Sequence, residues 1–115
     1  MTNPIVVERQ VKYGEGDVRR LHYYWCPGCD GLHGITIRPD LNSVGAGWEF
    51  TGTLECPTYA PSQLTKYGST PEKICHTFIR SGMIEFLGDC THALKGQTVP
   101  LPPLPDWFVK DDDDG

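Results

Sequence analysis

The sequence predicts a mostly β protein, built as a small β-sheet or partial barrel with a zinc-ribbon-like Cys knuckle and one short helical turn. Thirteen glycines and ten prolines, together 23 of 115 residues, keep the segments between turns short. Several of these segments alternate apolar with polar residues, which is the period of a half-buried strand. A chain of this length buries a modest core, and five cysteines with four histidines supply candidate ligands for a metal that would staple it.

The first predicted element is a β-hairpin whose tip is a cysteine knuckle. Arg20–Trp25 is rich in aromatic residues and favours a strand, which runs directly into Cys26–Cys29. Gly34–Arg38 alternates isoleucine with small or polar residues and forms the returning strand. Trp48–Leu54 alternates again and predicts a further strand.

A second hairpin follows an irregular segment. Pro57–Ser62 holds two prolines, which interrupt both ladders and helices, so we expect no regular structure there. Ile74–Ile79 and Met83–Leu87 are short apolar runs joined by a tight turn that contains glycine. Asp89–Gly96 predicts the single helical turn, because an N-cap residue begins it and a glycine ends it.

The chain is predicted to form one domain over residues 1–108, followed by a disordered acidic tail over residues 109–115. Asp111–Asp114 carry four of the negative charges, so a net charge of −5 leaves the rest of the chain near −1. A run of like charges is solvated and buries nothing. The body lacks the clustered Lys and Arg that binding a phosphate backbone needs, so nucleic acid is not an expected partner.

The sequence gives no sign of secretion or of a membrane span. The first ten residues are mixed and polar, and no run approaches the roughly 18 to 20 apolar residues that cross a bilayer. We therefore expect a cytoplasmic protein. In a reducing cytosol, cysteines bind metal or do chemistry more often than they form disulfides.

Cys26 and Cys29 are the strongest local signal for a metal. Two thiolates separated by two residues can point at one ion, and the Pro-Gly between them suits the sharp turn. Thioredoxin-like redox sites use the same spacing. Such a site would lead into a substantial helix, whereas Cys29 is followed by Asp30-Gly31 and another strand. Zinc is therefore the favoured interpretation.

The rest of a four-ligand zinc shell must come from later in the chain. Cys75 begins the second hairpin and His92 follows its far end, so folding that hairpin brings both to one edge. His76 should face away from Cys75, because neighbours on a strand point to opposite faces. Cys90 competes with His92 for the fourth place, and Cys56 is expected to be an incidental thiol. The predicted zinc ligands are Cys26, Cys29, Cys75 and His92.

In combination, these motifs resemble a family of small phage and prophage proteins. The matching segments are Cys26–Cys29 with His33, Trp48–Gly52, Pro57–Ser62, Cys75–Ile79, Gly82–Leu87 and Asp89–Val99. The family is a domain family of unknown function (DUF6527) whose members often carry the label "ammonia monooxygenase". The resemblance covers residues 23–102, and the label does not fit a chain without a spanning segment.

The resemblance implies further expectations about the site. The family keeps the cysteines of the predicted shell together with His76, Asp89 and His92. It often replaces Cys90 by serine, which favours His92 as the fourth ligand. Cys56 and the acidic tail depart from the family pattern, and neither departure touches the metal site.

Two classes of function are in contention. The first is a phage-encoded, zinc-stapled binding module that engages a host or phage protein in the bacterial cytoplasm, for example to inhibit a host defence. The alternative is a small zinc-dependent hydrolase that acts on a nucleotide-like or signalling small molecule, with Asp89 or His76 as general base. A zinc-ribbon nucleic-acid binder is a third, weaker reading. Polar groups beyond the needs of a staple support an enzyme, and the predicted binding residues are His33, Thr58, Ser62, His76 and Asp89.

Overall fold

The computed structural model describes residues 3–66 and 73–109, which form eight strands in two antiparallel sheets. The mostly β class is therefore confirmed, with two open sheets in the described chain. The strands are β1 (Val7–Gly14), β2 (Asp17–Cys26), β3 (Gly31–Thr36), β4 (Glu49–Gly52), β5 (Pro57–Lys66), β6 (Ile74–Arg80), β7 (Met83–Phe86) and β8 (Thr98–Pro100).

The first sheet has the order β1-β2-β3 and carries the cysteine knuckle at one end. Cys26, the last residue of β2, pairs with Gly31, the first residue of β3, so the knuckle is the hairpin tip that the sequence predicts. Asp30 closes this tip with a positive φ of 53°, a conformation that Asp and Asn tolerate better than most residues. The pattern missed β1, because its side chains beyond Val7 are only partly buried or exposed and leave little apolar alternation.

The second sheet has the order β4-β5-β6-β7-β8, and β6 and β7 form the predicted second hairpin. The turn between them places Ser81 and Gly82 at φ of 49° and 76°, the pair of positive values that a tight hairpin turn requires. The helical turn lies at residues 106–109. Residues 89–96 form turns instead of a helix. The Thr91 N–H, for example, donates to the carbonyl of Ile74 on β6 at 2.9 Å and not to the carbonyl four residues before it, as a helix requires.

Strand β5 corrects the expectation that Pro57–Ser62 is irregular. Pro57 begins the strand, and Pro61 lies where the pairing with β6 shifts register between Tyr59 and Gln63. Proline is tolerated at the first residue of a strand and at a bulge, since neither position must donate to the ladder. The bulge interrupts the ladder without ending the strand.

The main core lies between the two sheets. An isolated parallel bridge between Ile37 and Trp48 connects the sheets. The first sheet and the segment after it contribute Tyr24, Ile35 and Ile37, and the second contributes Tyr59, Ile79, Ile84 and Phe86, all of them buried. Both hairpins are therefore fixed against each other, and the knuckle of one faces strands of the other.

A second, smaller core covers the outer face of the first sheet. Leu104 and Phe108 are buried there against Val7, with Tyr23 and Trp25 at its border. The Leu104 N–H donates to the carbonyl of Pro4 at 2.9 Å, which ties this segment to the start of the chain. Val109, the first residue of the predicted tail 109–115, lies in the helical turn and packs against this core. The rest of that tail, residues 110–115, lies outside the described residues. None of the described helical residues forms a segment long and apolar enough to cross a membrane.

His22 is a fully buried ionisable residue in the main core. Its Nδ1 lies 2.6 Å from the Tyr59 hydroxyl and its Nε2 lies 2.7 Å from a carboxylate oxygen of Glu8. Burial lowers the pKa of His22, although the Glu8 carboxylate acts in the opposite direction. The hydrogen bond from His22 in turn lowers the pKa of Glu8. In the neutral ring, Nε2–H donates to Glu8 and Nδ1 accepts from the Tyr59 hydroxyl, so both ring nitrogens have a hydrogen-bond partner.

We expect the protein to lose stability as the pH falls below about 6.5, the ordinary pKa of histidine. Because the folded state holds the pKa of His22 below that value, the unfolded chain binds this proton more readily, and protonation favours unfolding. The stability that the neutral His22 ring contributes is fully present above about pH 6.5. It is lost as the pH falls towards the pKa of His22 in the folded protein. Urea denaturation at pH 8, 7, 6 and 5 measures it.

The matched variant is His22→Gln, which removes the titrating ring. Its free energy of unfolding should be lower by about 1–3 kcal/mol, the cost of disturbed buried hydrogen bonds. The fall in stability between pH 7 and 5 should also be shallower than in the wild type. Equal pH slopes in the two proteins would show that His22 is not the responsible group.

Candidate functional site

Cysteine and histidine side chains from the two sheets converge at the knuckle. Cys26 and Cys29 come from the end of β2 and the turn after it, and Cys75 comes from β6, with 3.7 Å between the sulfurs of Cys26 and Cys75. Two groups have all their ligand atoms within 4.8 Å of one another: Cys26, Cys29 and His33, and Cys29, Cys75 and His92. These clusters could hold a metal ion. All four predicted ligands therefore lie in one place.

His92 packs directly on the knuckle. A Cβ added to Gly28 would lie 2.3 Å from the Cε1 of His92, so the ring occupies the space that any other residue at position 28 would fill. The Leu94 N–H donates to Nδ1 at 3.2 Å, and Nε2 lies 3.3 Å from the sulfur of Cys75. The glycine of the knuckle is thus required for the close approach of His92.

His33 joins the same cluster through Cys26 and Cys29. Its ring stacks on Tyr24 with 5.4 Å between ring centroids, and its Nδ1 lies 3.4 Å from the Thr65 hydroxyl. It shares a ligand group with Cys26 and Cys29. The sequence named His33 as a binding residue, and the structure places it as a fifth donor beside the four predicted metal ligands.

The thiols of this cluster share negative charge. The Cys29 and Cys75 thiols hydrogen-bond to the sulfur of Cys26 and lower the pKa of Cys26. The same hydrogen bonds to Cys26 raise the pKa of Cys29 to about 12 and also raise the pKa of Cys75. Without a metal, three thiols this close together therefore favour only one of them as a thiolate. A divalent cation would supply the positive charge that stabilises further thiolates.

The remaining two cysteines lie outside both ligand groups. Cys56 is exposed beside the Ser81-Gly82 turn. Cys90 is buried, and its sulfur lies 3.2 Å from both the backbone nitrogen and the backbone oxygen of His76.

Ser62, His76 and Asp89 form a second constellation. The Nε2 of His76 lies 3.0 Å from the Oγ of Ser62. The Nδ1 of the same ring lies 3.0 Å and 3.3 Å from the two carboxylate oxygens of Asp89. One imidazole therefore bridges a hydroxyl and a carboxylate.

The fold places these three residues on neighbouring elements. Ser62 lies in the bulge of β5, between Tyr59 and Gln63, and its carbonyl accepts a hydrogen bond of 3.3 Å from the Trp48 indole. His76 lies on β6 and alternates with Cys75, so the two side chains contact different partners on opposite faces. Asp89 lies in the turn after β7.

The constellation is open to solvent. The side chain of His76 is 26% exposed and that of Asp89 is 54% exposed, and Ser62 is half-buried. A carboxylate that accepts from Nδ1–H holds the ring in the tautomer whose Nε2 can take a proton from the serine hydroxyl. The arrangement can therefore activate Ser62 as a nucleophile.

The five predicted binding residues separate into three places. Ser62, His76 and Asp89 form one constellation, and His33 lies with the cysteines. Thr58 is apart from both, because its hydroxyl accepts the Ser81 N–H at 2.8 Å and holds the β6–β7 turn.

The sequence predicted all three residues of the constellation as binding residues and gave Ser62 no chemical role. Only the alternative hypothesis of a zinc hydrolase gave Asp89 or His76 a role, as a general base beside a metal-bound water. The serine lies in a proline-rich segment without a local nucleophile motif. Only the pairing of β5 with β6 brings it to His76.

A family model described as "Bacterial ubiquitination-like system serine protease (BubE)" matches residues 2–87. The match covers 86 of the 115 residues and includes Ser62 and His76. No curated protein and no solved structure matches the chain significantly.

The family match corrects the resemblance to the phage family DUF6527. The matching family is that of the bacterial ubiquitination-like system, and nothing in it points to a phage. The resemblance depended on six short segments, of which three contain cysteine or histidine, whereas the family match covers residues 2–87.

Proposed function

This chain belongs to the family of bacterial ubiquitination-like system serine proteases (BubE), and on that premise we propose that it is a serine protease with Ser62 as nucleophile. His76 is the general base and Asp89 is the residue that orients it. The observation that carries the proposal is the single imidazole of His76, whose two nitrogens lie 3.0 Å from Ser62 Oγ and 3.0 Å from Asp89 Oδ2.

The geometry accounts for each proton of the reaction. The Oγ of Ser62 attacks the carbonyl carbon of the scissile peptide bond while the Nε2 of His76 takes the hydroxyl proton. His76 then gives this proton to the leaving amine, the carbon–nitrogen bond breaks, and Ser62 retains the acyl group. A water molecule then gives a proton to the same Nε2 and its oxygen attacks the acyl carbon. The ester bond to Ser62 breaks, the Oγ takes the proton back from Nε2, and the carboxylic acid leaves. Asp89 accepts the Nδ1–H throughout and stabilises the imidazolium.

The family description and the exposure of the site support a substrate class. We propose that the scissile bond lies in an extended segment of a ubiquitin-like protein or of a chain joined to one. Asp89 is more than half exposed, and Ser62 lies half-buried on β5. Such a site suits a flexible segment that can reach the nucleophile.

The metal of this proposal is zinc, held by Cys26, Cys29, Cys75 and His92. Thiolate and imidazole donors in a set of four are typical of structural zinc sites. When bound, zinc would supply folding energy by joining the knuckle of the first sheet to β6 of the second. Cys75 and His76 alternate on β6, so the metal would hold that strand without contacting Ser62.

The earlier hypotheses stay predictions. The phage-encoded binding module and the zinc-dependent hydrolase of small molecules are tested neither by the family match nor by the fold. The serine protease is preferred because it gives a role to each of Ser62, His76 and Asp89, whereas a zinc hydrolase gives none to the serine hydroxyl.

Covalent labelling with a fluorophosphonate tests the proposal. The probe phosphonylates an activated serine and releases fluoride, so the wild type should gain one label at Ser62, located by peptide mass spectrometry. Ser62→Ala should remain unlabelled, and His76→Ala should be labelled far more slowly. Ser43→Ala, a change in an exposed loop, is the matched control and should be labelled like the wild type. Label on another serine, or none on the folded wild type, would contradict the assignment.

A further inference from the structure

The turn that carries Asp89 is attached to the backbone of His76 itself. The Leu87 N–H donates to the carbonyl of His76 at 2.9 Å, and the Cys90 N–H closes the turn on the Leu87 carbonyl at 3.1 Å. The His76 N–H donates to the sulfur of Cys90 at 3.2 Å, and the Cys90 thiol donates to the carbonyl of His76 at 3.2 Å. One sulfur therefore contacts both polar groups of the His76 backbone.

This attachment fixes the acid relative to the base. Asp89 lies inside the turn, next to Cys90, and reaches back to the Nδ1 of His76 at 3.0 Å. Asp89 is 54% exposed, so little packing holds its side chain from outside. Cys90, in contrast, is 3% exposed and belongs to the main core. Thr91 also fastens this segment to β6, through hydrogen bonds to the backbone of Ile74. Cys90 is the attachment next to the carboxylate, and it bonds the backbone of the same residue whose ring Asp89 contacts.

We propose that Cys90 is a positioning residue for the catalytic pair His76–Asp89, an inference that rests on the proposed protease function. Its thiol holds the turn after β7 at the backbone of β6, and through that contact it keeps Asp89 within hydrogen-bond distance of the imidazole. It touches neither the nucleophile nor the scissile bond.

This role also separates Cys90 from the metal. A metal ligand is a thiolate, whereas the contact with the His76 carbonyl uses an S–H. Cys90 belongs to neither Cys/His ligand group of the described residues, and His92 belongs to one. The role of Cys90 is therefore to bond the backbone of β6, and the fourth metal position belongs to His92.

Conservative and non-conservative substitutions at position 90 give opposite expectations. Serine keeps one donor and one acceptor at this position, whereas alanine removes both. A displacement of about 1 Å in a catalytic group can cost on the order of 100-fold in rate. We therefore expect Cys90→Ala to lower kcat about 10- to 100-fold with KM changed less than about twofold. Cys90→Ser should recover kcat to within about threefold of the wild type.

The experiment measures kcat and KM for p-nitrophenyl acetate on the full, zinc-loaded chain, together with zinc content and melting temperature. Cys56→Ala, which removes an exposed thiol outside both sites, is the matched control and should keep the wild-type kcat. If Cys90→Ala does not fold, Cys90→Val fills the space without a donor or acceptor and replaces it in the comparison with Cys90→Ser.

Three outcomes would contradict the role proposed for Cys90. An unchanged kcat in Cys90→Ala overturns the proposal, as does a Cys90→Ser variant no better than Cys90→Ala, since the sulfur would then only fill space. Loss of zinc from folded Cys90→Ala also overturns it and makes Cys90 a ligand. Ser62→Ala runs in parallel: if it hydrolyses the ester as fast as the wild type, the proposed function itself fails, and the inference about Cys90 fails with it.

Discussion

Ser62→Ala is expected to lower kcat for peptide-bond hydrolysis by at least about a thousandfold, because removing a triad nucleophile elsewhere costs 10⁴-fold or more. The variant should fold and bind metal like the wild type, since Ser62 is half-buried and lies apart from the cysteine cluster. The measurement is cleavage of a peptide library prepared from bacterial protein, with new termini identified by mass spectrometry. Both proteins are compared at equal zinc content.

Variants of His76 and Asp89 test the same assignment. His76→Ala should lose nearly as much activity as Ser62→Ala, and the double variant should be no slower than either one, because residues that act as a unit are not additive. Asp89→Asn should fall between these variants and the wild type. Thr58→Ala is the matched hydroxyl control on the same strand and should keep its activity, since Thr58 bonds the Ser81 N–H instead. Multiplying losses in the double variant would mean that Ser62 and His76 act independently, which contradicts a nucleophile and its base.

The fold could be predicted where turn residues and alternation agree. The knuckle hairpin and the β6–β7 hairpin have both signals, and both were found at the expected places. Strand β5 could not be predicted, because its two prolines indicate a break in any local reading. The structure tolerates them at the strand start and at the bulge, which depend on the pairing with β6. Strand β1 has too few buried side chains to show a period.

The candidate site was only partly predictable for a related reason. Ligand spacing in the knuckle is local, so Cys26 and Cys29 are visible in the sequence. The contact of Ser62 with His76 joins residues fourteen positions apart and depends on the register shift in β5. A pattern of residue types does not encode that shift. The sequence therefore identified the polar residues but did not predict that Ser62, His76 and Asp89 contact one another.

Removal of the metal is expected to unfold the domain and abolish activity together. We expect about one zinc ion per chain after extensive dialysis, which metal analysis by mass spectrometry measures. Structural zinc sites contribute about 10–16 kcal/mol to folding in small peptides, which is as large as the whole stability of about 5–15 kcal/mol that a typical domain has. Cys26→Ser and Cys75→Ser should therefore lose zinc and either unfold or melt at least about 10 °C lower.

The decisive comparison is between metals. If zinc only holds β6 to the knuckle, protein refolded with cadmium should regain its structure and keep kcat within about threefold, because Ser62 and His76 perform the chemistry. If the metal instead activates water, exchange of the ion should change kcat strongly. Cys56→Ser controls for the loss of a thiol as such, since Cys56 is exposed and lies in neither ligand group, and it should keep both zinc and stability. Folded, active protein without any metal would refute the staple, and a large loss of stability in Cys56→Ser would mean that the ligands are assigned wrongly.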